Sequence, residues 1–292
     1  MKLERLISPD RRILYLLIAL GTAIPILVRI GFPVSATPPV EAVFDAIAQF
    51  DADDVVLLSF DYGPNVAPEC SPMGEAILRH CFERRIPVIL IAFFPVGGIT
   101  MAGEVIERVL SEYPAVRPGE DYVFLGYKDG AQAAMKQMGV AFANVFPVDN
   151  DRRPLAELPL MQRVTNYSDI SLVVTLTTNV IGDWWINLVN AQFKVPIAIG
   201  ATAVSAPKFY AFLDSGQAIG MLGGLKGASE YEHLLVAAYP HLRPLYERPG
   251  FYTAMKGMDA QTVDHALIML FIVLGNLFYL LAKRRKARPS AV

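Results

Sequence analysis

Cysteine is scarce in this chain of 292 residues, with only Cys70 and Cys81 present. A disulfide framework is therefore excluded, and a single bridge is the most that could form. Ser71-Pro72 reads as a helix cap and first helical residue, which would place Cys81 about 15 Å along the helix from Cys70. A bridge needs Cα atoms within about 7 Å, so two semi-buried thiols are expected. Cys70 itself reads as lying in a loop just ahead of that helix. Histidine is also sparse. His80, His233, His241 and His265 are scattered, with no pair at ligand spacing, so no metal site is expected. His233, between Glu230 and Glu232, reads as part of a solvated helix face. Charged residues make up only 18% of the chain. There is no Gly-x-Ser-x-Gly elbow for a hydrolase, no nucleotide P-loop and no Rossmann glycine spacing after the first strand. No cofactor is expected.

Apolar residues, at 53%, are more abundant than in an ordinary soluble protein. Two long apolar runs account for part of the excess. Ile13 to Val28 lies between Arg12 and Arg29, and Ile30 to Val34 extend it. Pro25 would kink such a helix or be absorbed by neighbours. Val34-Ser35-Ala36 would pass as a weak signal-peptide cleavage site, but Arg29 interrupts the approach to it, and an uncleaved signal anchor is favoured. The second run, from His265 to Ala282, carries no charge after His265 and is followed at once by Lys283-Arg-Arg-Lys286 and Arg288. At 1.5 Å per residue it covers most of a hydrocarbon core roughly 30 Å thick. Asn276 inside it could bond to a neighbouring helix, either the first span or another subunit, or only to nearby backbone.

Basic residues cluster outside both runs. The positive-inside bias then places both termini in the cytoplasm. The expected division is a cytoplasmic tail over 1–12, a first transmembrane helix over 13–32, an extracytoplasmic domain over 33–262, a second transmembrane helix over 263–282 and a basic cytoplasmic tail over 283–292. Of 26 cations in the chain, four precede the first run and five follow the last, which leaves 17 for the middle against 26 anions. So acidic a domain repels phosphates, and no nucleic-acid partner is expected.

Within the middle, Val55–Phe60, Pro87–Phe94, Tyr122–Gly126, Ile170–Leu176 and Pro196–Ala201 are short apolar runs of the kind that form strands buried on both faces. Gln217–Leu222 is a candidate sixth. Amphipathic helices alternate with them. The expected fold is α/β, a doubly wound and mostly parallel sheet of five or six strands, flanked by an N-terminal and a C-terminal transmembrane helix. Ligands in such sheets bind beyond the carboxyl ends of the strands. That edge collects Asp61, Tyr62 and Asn65, then Thr100, then Lys128 and Asp129, then Thr178 and Asn179, then Thr202 and Ser205. Residues of these types also cap helices and close turns. Asp61 stands out, because an acid ending an apolar strand needs a partner. The glycine-rich stretch holding Gly223, Gly224, Lys226 and Gly227 could present amides to an anion, or let a helix or loop pack closely on a neighbour. Trp184 and Trp185 read as core and rim packing.

Two functions follow as expectations. One is a double-anchored membrane protein whose extracytoplasmic domain binds a partner or ligand, as a subunit of a larger membrane assembly or a homo-oligomer. The other is a membrane-anchored enzyme acting on a small polar substrate at the outer face, with Asp61 as acid or base.

Overall fold

The computed structural model describes residues 11–286. The chain divides into two units. Val34–Leu242 forms one, and the two ends of the chain, up to Pro33 and from Arg243, form the other.

The first unit is an α/β domain. Helix α2 (Pro38–Gln49) opens it, α1 (Arg11–Leu27) belonging to the other unit. Then come β1 (Val56–Asp61), α3 (Ala67–Glu83), β2 (Val88–Ala92), α4 (Gly98–Leu110), β3 (Tyr122–Tyr127) and α5 (Ala131–Met138). After an irregular stretch with the short α6 (Pro159–Arg163) follow β4 (Leu172–Thr177), α7 (Ile181–Phe193), β5 (Ile197–Ala201), α8 (Tyr210–Asp214), β6 (Gly220–Gly223) and α9 (Gly224–Ala238). The six strands form one sheet in the order β3-β2-β1-β4-β5-β6, and every pairing is parallel. β1, β2, β4 and β5 are buried along their whole length. This is the reason their sequences are apolar without alternation: helices cover both faces. Residues 57, 89, 91 and 173 point into one core with Met135, Trp185 and Val189 from α5 and α7. The other face carries Phe60 and Leu176, which lie against Gly74 of α3.

Several elements start earlier than their sequences suggest. α3 begins at Ala67, with Pro68 at its start, so Pro72 lies inside the helix and Ser71 does not cap it. Pro68 supplies the fixed φ of a first turn one turn ahead of Pro72. Cys70 is consequently a buried helical residue rather than part of a loop. Burial pushes both thiols well above the ordinary range. Neither cysteine is bridged. α9 begins at Gly224, so the glycine stretch is the end of a strand and the first helical turn. The same helix is sandwiched against α2 and α3, which buries Glu230 and Glu232. The solvated face expected around His233 is therefore absent. α7 contains a π-helical stretch from Trp185 to Asn190, which no periodicity in the sequence announces.

Helix α3 brings two sets of polar side chains into the interior. Arg79 of α3 is fully buried. Its Nε donates to Glu112 at 2.7 Å and its Nη2 to Glu75 at 3.1 Å, while Arg108 of α4 reaches Glu75 at 2.8 Å. His80, one residue on, stacks on Phe44 and shares a 2.7 Å hydrogen bond with the Tyr231 hydroxyl of α9.

The second unit contains α1 (Arg11–Leu27), the short α10 (Arg243–Glu247) and α11 (Ala254–Lys286). The expected first span over 13–32 is thus a helix of 17 residues that stops at Leu27, with Pro25 inside it and buried. Beyond it the chain leaves the helix. The Asp259 carboxylate of α11 takes the backbone N–H groups of Ile30 and Gly31 at 2.8 Å and of Phe32 at 3.1 Å. α11 is the one described helix long and apolar enough to cross a membrane, over Ala254–Leu281 with a mean hydropathy of 1.9. It starts nine residues before the span expected from 263. Its first turns can carry polar residues because they are satisfied: Lys256 donates to the carbonyls of Arg248 and Phe251, and Asp259 holds the segment just described. α1 lies along α11, and the Thr22 hydroxyl donates to Asp264 at 2.6 Å. The expected tails over 1–12 and 283–292 fall mostly outside the described residues.

Candidate functional site

A sheet of this order has its switch point at β1, whose neighbours β2 and β4 are reached by connections on opposite faces. Asp61 is the last residue of β1 and points to the face covered by α7. It is fully buried. Its Oδ1 accepts the Phe93 N–H at 3.1 Å, from the end of β2. Its Oδ2 accepts the Ser59 hydroxyl at 2.7 Å, the Thr175 hydroxyl of β4 at 2.9 Å and the Trp185 indole N–H at 3.0 Å. One carboxylate thus ties two neighbouring strands and a helix to β1. Burial pushes its pKa up to about 6, and the four donors hold it from going higher. Asn179, after β4, donates its amide to the Asp61 carbonyl at 2.7 Å and accepts the Ile181 N–H at 2.8 Å, so both ends of the side chain are used.

The partners of Asp61 were legible in part. Ser59 precedes it by two, on the same side of the strand. Ser59 also stands opposite Thr175 in the β1–β4 register. Two hydroxyls in otherwise apolar strands, matched in register, mark a polar spot on one face. The contributions of Trp185 and the Phe93 amide depend on the tertiary fold.

The other edge residues divide into two groups. Tyr62 is buried, and its hydroxyl lies 2.9 Å from Ser71 on α3, turned away from solvent. Thr202 is buried and donates to Ser205 at 3.1 Å, and Ser205 in turn reaches the Thr178 carbonyl at 3.4 Å. These groups knit β4 and β5 together. Asn65, Thr100, Lys128 and Asp129 are exposed. Thr100 sits in the first turn of α4, but the cap position there is Gly97. Asp129 accepts from the Tyr127 hydroxyl at 3.4 Å.

At the sheet's edge strand, Gly224 has a φ of +63°, and a Cβ there would come within 3.0 Å of the Ala203 amide nitrogen. A Cβ on Gly227 would lie 2.8 Å from the Leu222 backbone. These glycines let α9 press on β6 and the loop after β5. Lys226 is paired with Glu230, whose carboxylate also accepts the Thr37 N–H at 3.0 Å and hydroxyl at 2.6 Å. A cleft of 360 Å³ beside them is lined by Pro38, Pro39, Tyr210, Met221 and Gly223 among others.

The same edge of the sheet carries apolar side chains in solvent. Val96 and Ile99 follow β2, Val180 follows β4 and Val204 follows β5; Val96 is 69% exposed and Val204 91%. No pattern in the sequence separates these from core residues.

The fold and this edge define a class: an α/β domain with a doubly wound parallel sheet, on a chain whose described residues include one helix long and apolar enough to cross a membrane. Compared with known proteins, the chain matches no family model and no curated sequence.

Proposed function

We propose that this chain is a two-pass membrane protein with both termini in the cytoplasm, whose extracytoplasmic α/β domain binds a partner as a subunit of a membrane assembly. The observation that carries the reading is α11. Its apolar residues from Ile268 to Leu281 stand in solvent rather than in a core, and the charges of Lys283 to Lys286 follow directly. α1 supports a second crossing. Its 17 residues cover about 25 Å, and Ile13, Leu16, Leu20 and Ile24 are exposed along it. Its short length is compatible with a span when flanking residues are anchored; Arg29, at its far end, faces Glu247 at 3.8 Å.

We take the exposed Val96, Val180 and Val204 on the carboxyl edge of the sheet as the candidate docking positions for that partner. The enzyme reading has less in its favour. Asp61 has no access to solvent, and each of its oxygens already accepts hydrogen bonds, so it is not placed to exchange protons with a substrate.

Labelling tests the topology. Single cysteines placed in the two tails and at exposed domain positions are treated in intact cells with a thiol reagent that does not cross lipid. The expected result is labelling of the domain and none of the tails. Labelled tails with an unlabelled domain would reverse the orientation and end this reading.

A further inference from the structure

The burial pattern of α11 is periodic. From 263 to 281 its partly covered residues are Val263, Asp264, Leu267, Phe271, Leu274 and Phe278. They recur every three or four positions, and so share one side of the helix. That side faces α1: Leu267 and Asp264 lie against Gly21, and Asp264 accepts from Thr22. Among the described residues, the opposite side has no neighbour. On it Met269, Ile272, Val273 and Tyr279 are 61%, 58%, 62% and 64% exposed, and Asn276 lies among them.

Asn276 has no hydrogen-bond partner among the described residues. It is seven residues from Lys283 and twelve from Asp264, about 10 Å and 18 Å along the helix. If α11 spans the membrane, as proposed above, the carboxamide sits well inside the hydrocarbon, where an unpaired amide is costly. α1 cannot relieve it, because α1 occupies the other side.

We propose that the Asn276 face of α11 packs in parallel against the same face of a second copy of this chain, with the two carboxamides bonded to each other. The chemistry favours a second copy over an unrelated helix. A carboxamide carries both a donor and an acceptor, so its own duplicate satisfies it. Two copies inserted in the same orientation bring Asn276 to the same depth about a two-fold axis along the membrane normal. The inference rests on the membrane reading of α11 and adds the partner.

The test uses the full chain in its own membranes. Membranes are washed at high pH, and single cysteines at positions 273, 276, 267 and 271 are oxidised with copper phenanthroline; Cys70 and Cys81 are buried and give the background. The expected result is disulfide-linked dimers from Val273→Cys and Asn276→Cys, and background levels from Leu267→Cys and Phe271→Cys. In mild detergent, Asn276→Leu should raise the dimer dissociation constant about tenfold, while Asn276→Gln restores most of the loss. Protein retained in washed membranes with no linkage above background at 273 and 276, or with equal linkage at all four positions, overturns the dimer alone. Protein released by the wash overturns the membrane reading beneath it.

Discussion

Asp61 makes a pH-dependent contribution whose sign follows from its surroundings. Its folded pKa of about 6 lies above the ordinary carboxylate value, so the fold favours the protonated form. The stability it supplies is complete below about pH 4 and is lost as pH rises through 6, by about 3 kcal/mol in all. Asp61→Asn removes that titration. It also sets an amide N–H against either the Phe93 or the Trp185 donor, at a cost of about 1–3 kcal/mol. Melting of the two proteins across pH 4 to 8 should show the variant weaker in acid and the gap closing as pH rises; a constant gap would mean that the carboxylate does not titrate in this range. His80 has the opposite sign. Burial lowers its pKa to about 3, so its contribution is present above pH 6.5 and is lost on acidification. His80→Phe keeps a ring against Phe44 and should flatten the acid limb of the stability profile between pH 6.5 and 4, at the cost of the bond to Tyr231. Asp61 was recognisable from the sequence, since a lone acid at the end of an apolar strand demands donors. His80 was not, because a histidine on a helix reads the same whether it faces water or Tyr231.

At the scale of elements, the glycines of the sixth strand and its helix act through close approach. Gly227→Ala adds helix propensity of up to about 1 kcal/mol, but places a Cβ 2.8 Å from backbone that has no side chain to swing away. The clash should win, with a net loss of about 1–3 kcal/mol in denaturation. In the other unit, Asp259 holds three amides that follow α1. Asp259→Ala leaves them without that acceptor, and tryptic cleavage at Arg29 in detergent-solubilised protein should speed up about tenfold or more. An unchanged cleavage rate would show the segment to be held by other contacts. Strands β1, β2, β4 and β5 were readable because burial on both faces leaves an uninterrupted apolar run. The start of α3 was read late, at Ser71, because Pro72 reads as a boundary, although a proline is tolerated inside a first turn where its missing N–H is not needed.

At the scale of the whole molecule, the exposed valines on the sheet's carboxyl edge can be tested without touching the core. Val96→Asp together with Val204→Asp should change stability by no more than about 0.5 kcal/mol each, as surface substitutions do. If the proposed assembly docks there, its native mass after gentle extraction should fall; an unchanged mass would mean that this edge is not its docking surface. The carboxyl ends of the strands were legible from the strand bounds and the parallel alternation of strand and helix, while the order of the strands came from the structure. What each edge residue does was not legible. Tyr62, Thr202 and Asn179 look like ligand groups in the sequence, and in the structure Tyr62 bonds to Ser71, Thr202 to Ser205, and Asn179 to the backbone of Asp61 and Ile181.

The amino-acid sequence by itself determined the α/β alternation, the parallel sheet, the acidic middle and the apolar C-terminal helix with its basic end, because each of these follows from local composition and period. The tertiary structure alone decided that Asp61 is sealed by Trp185 and the Phe93 amide, that Glu230 and Glu232 are buried, that α1 ends at Leu27, and that Asn276 lies on the side of α11 away from α1. Each of these depends on which surfaces meet across long separations in the chain, and a one-dimensional pattern does not carry that information.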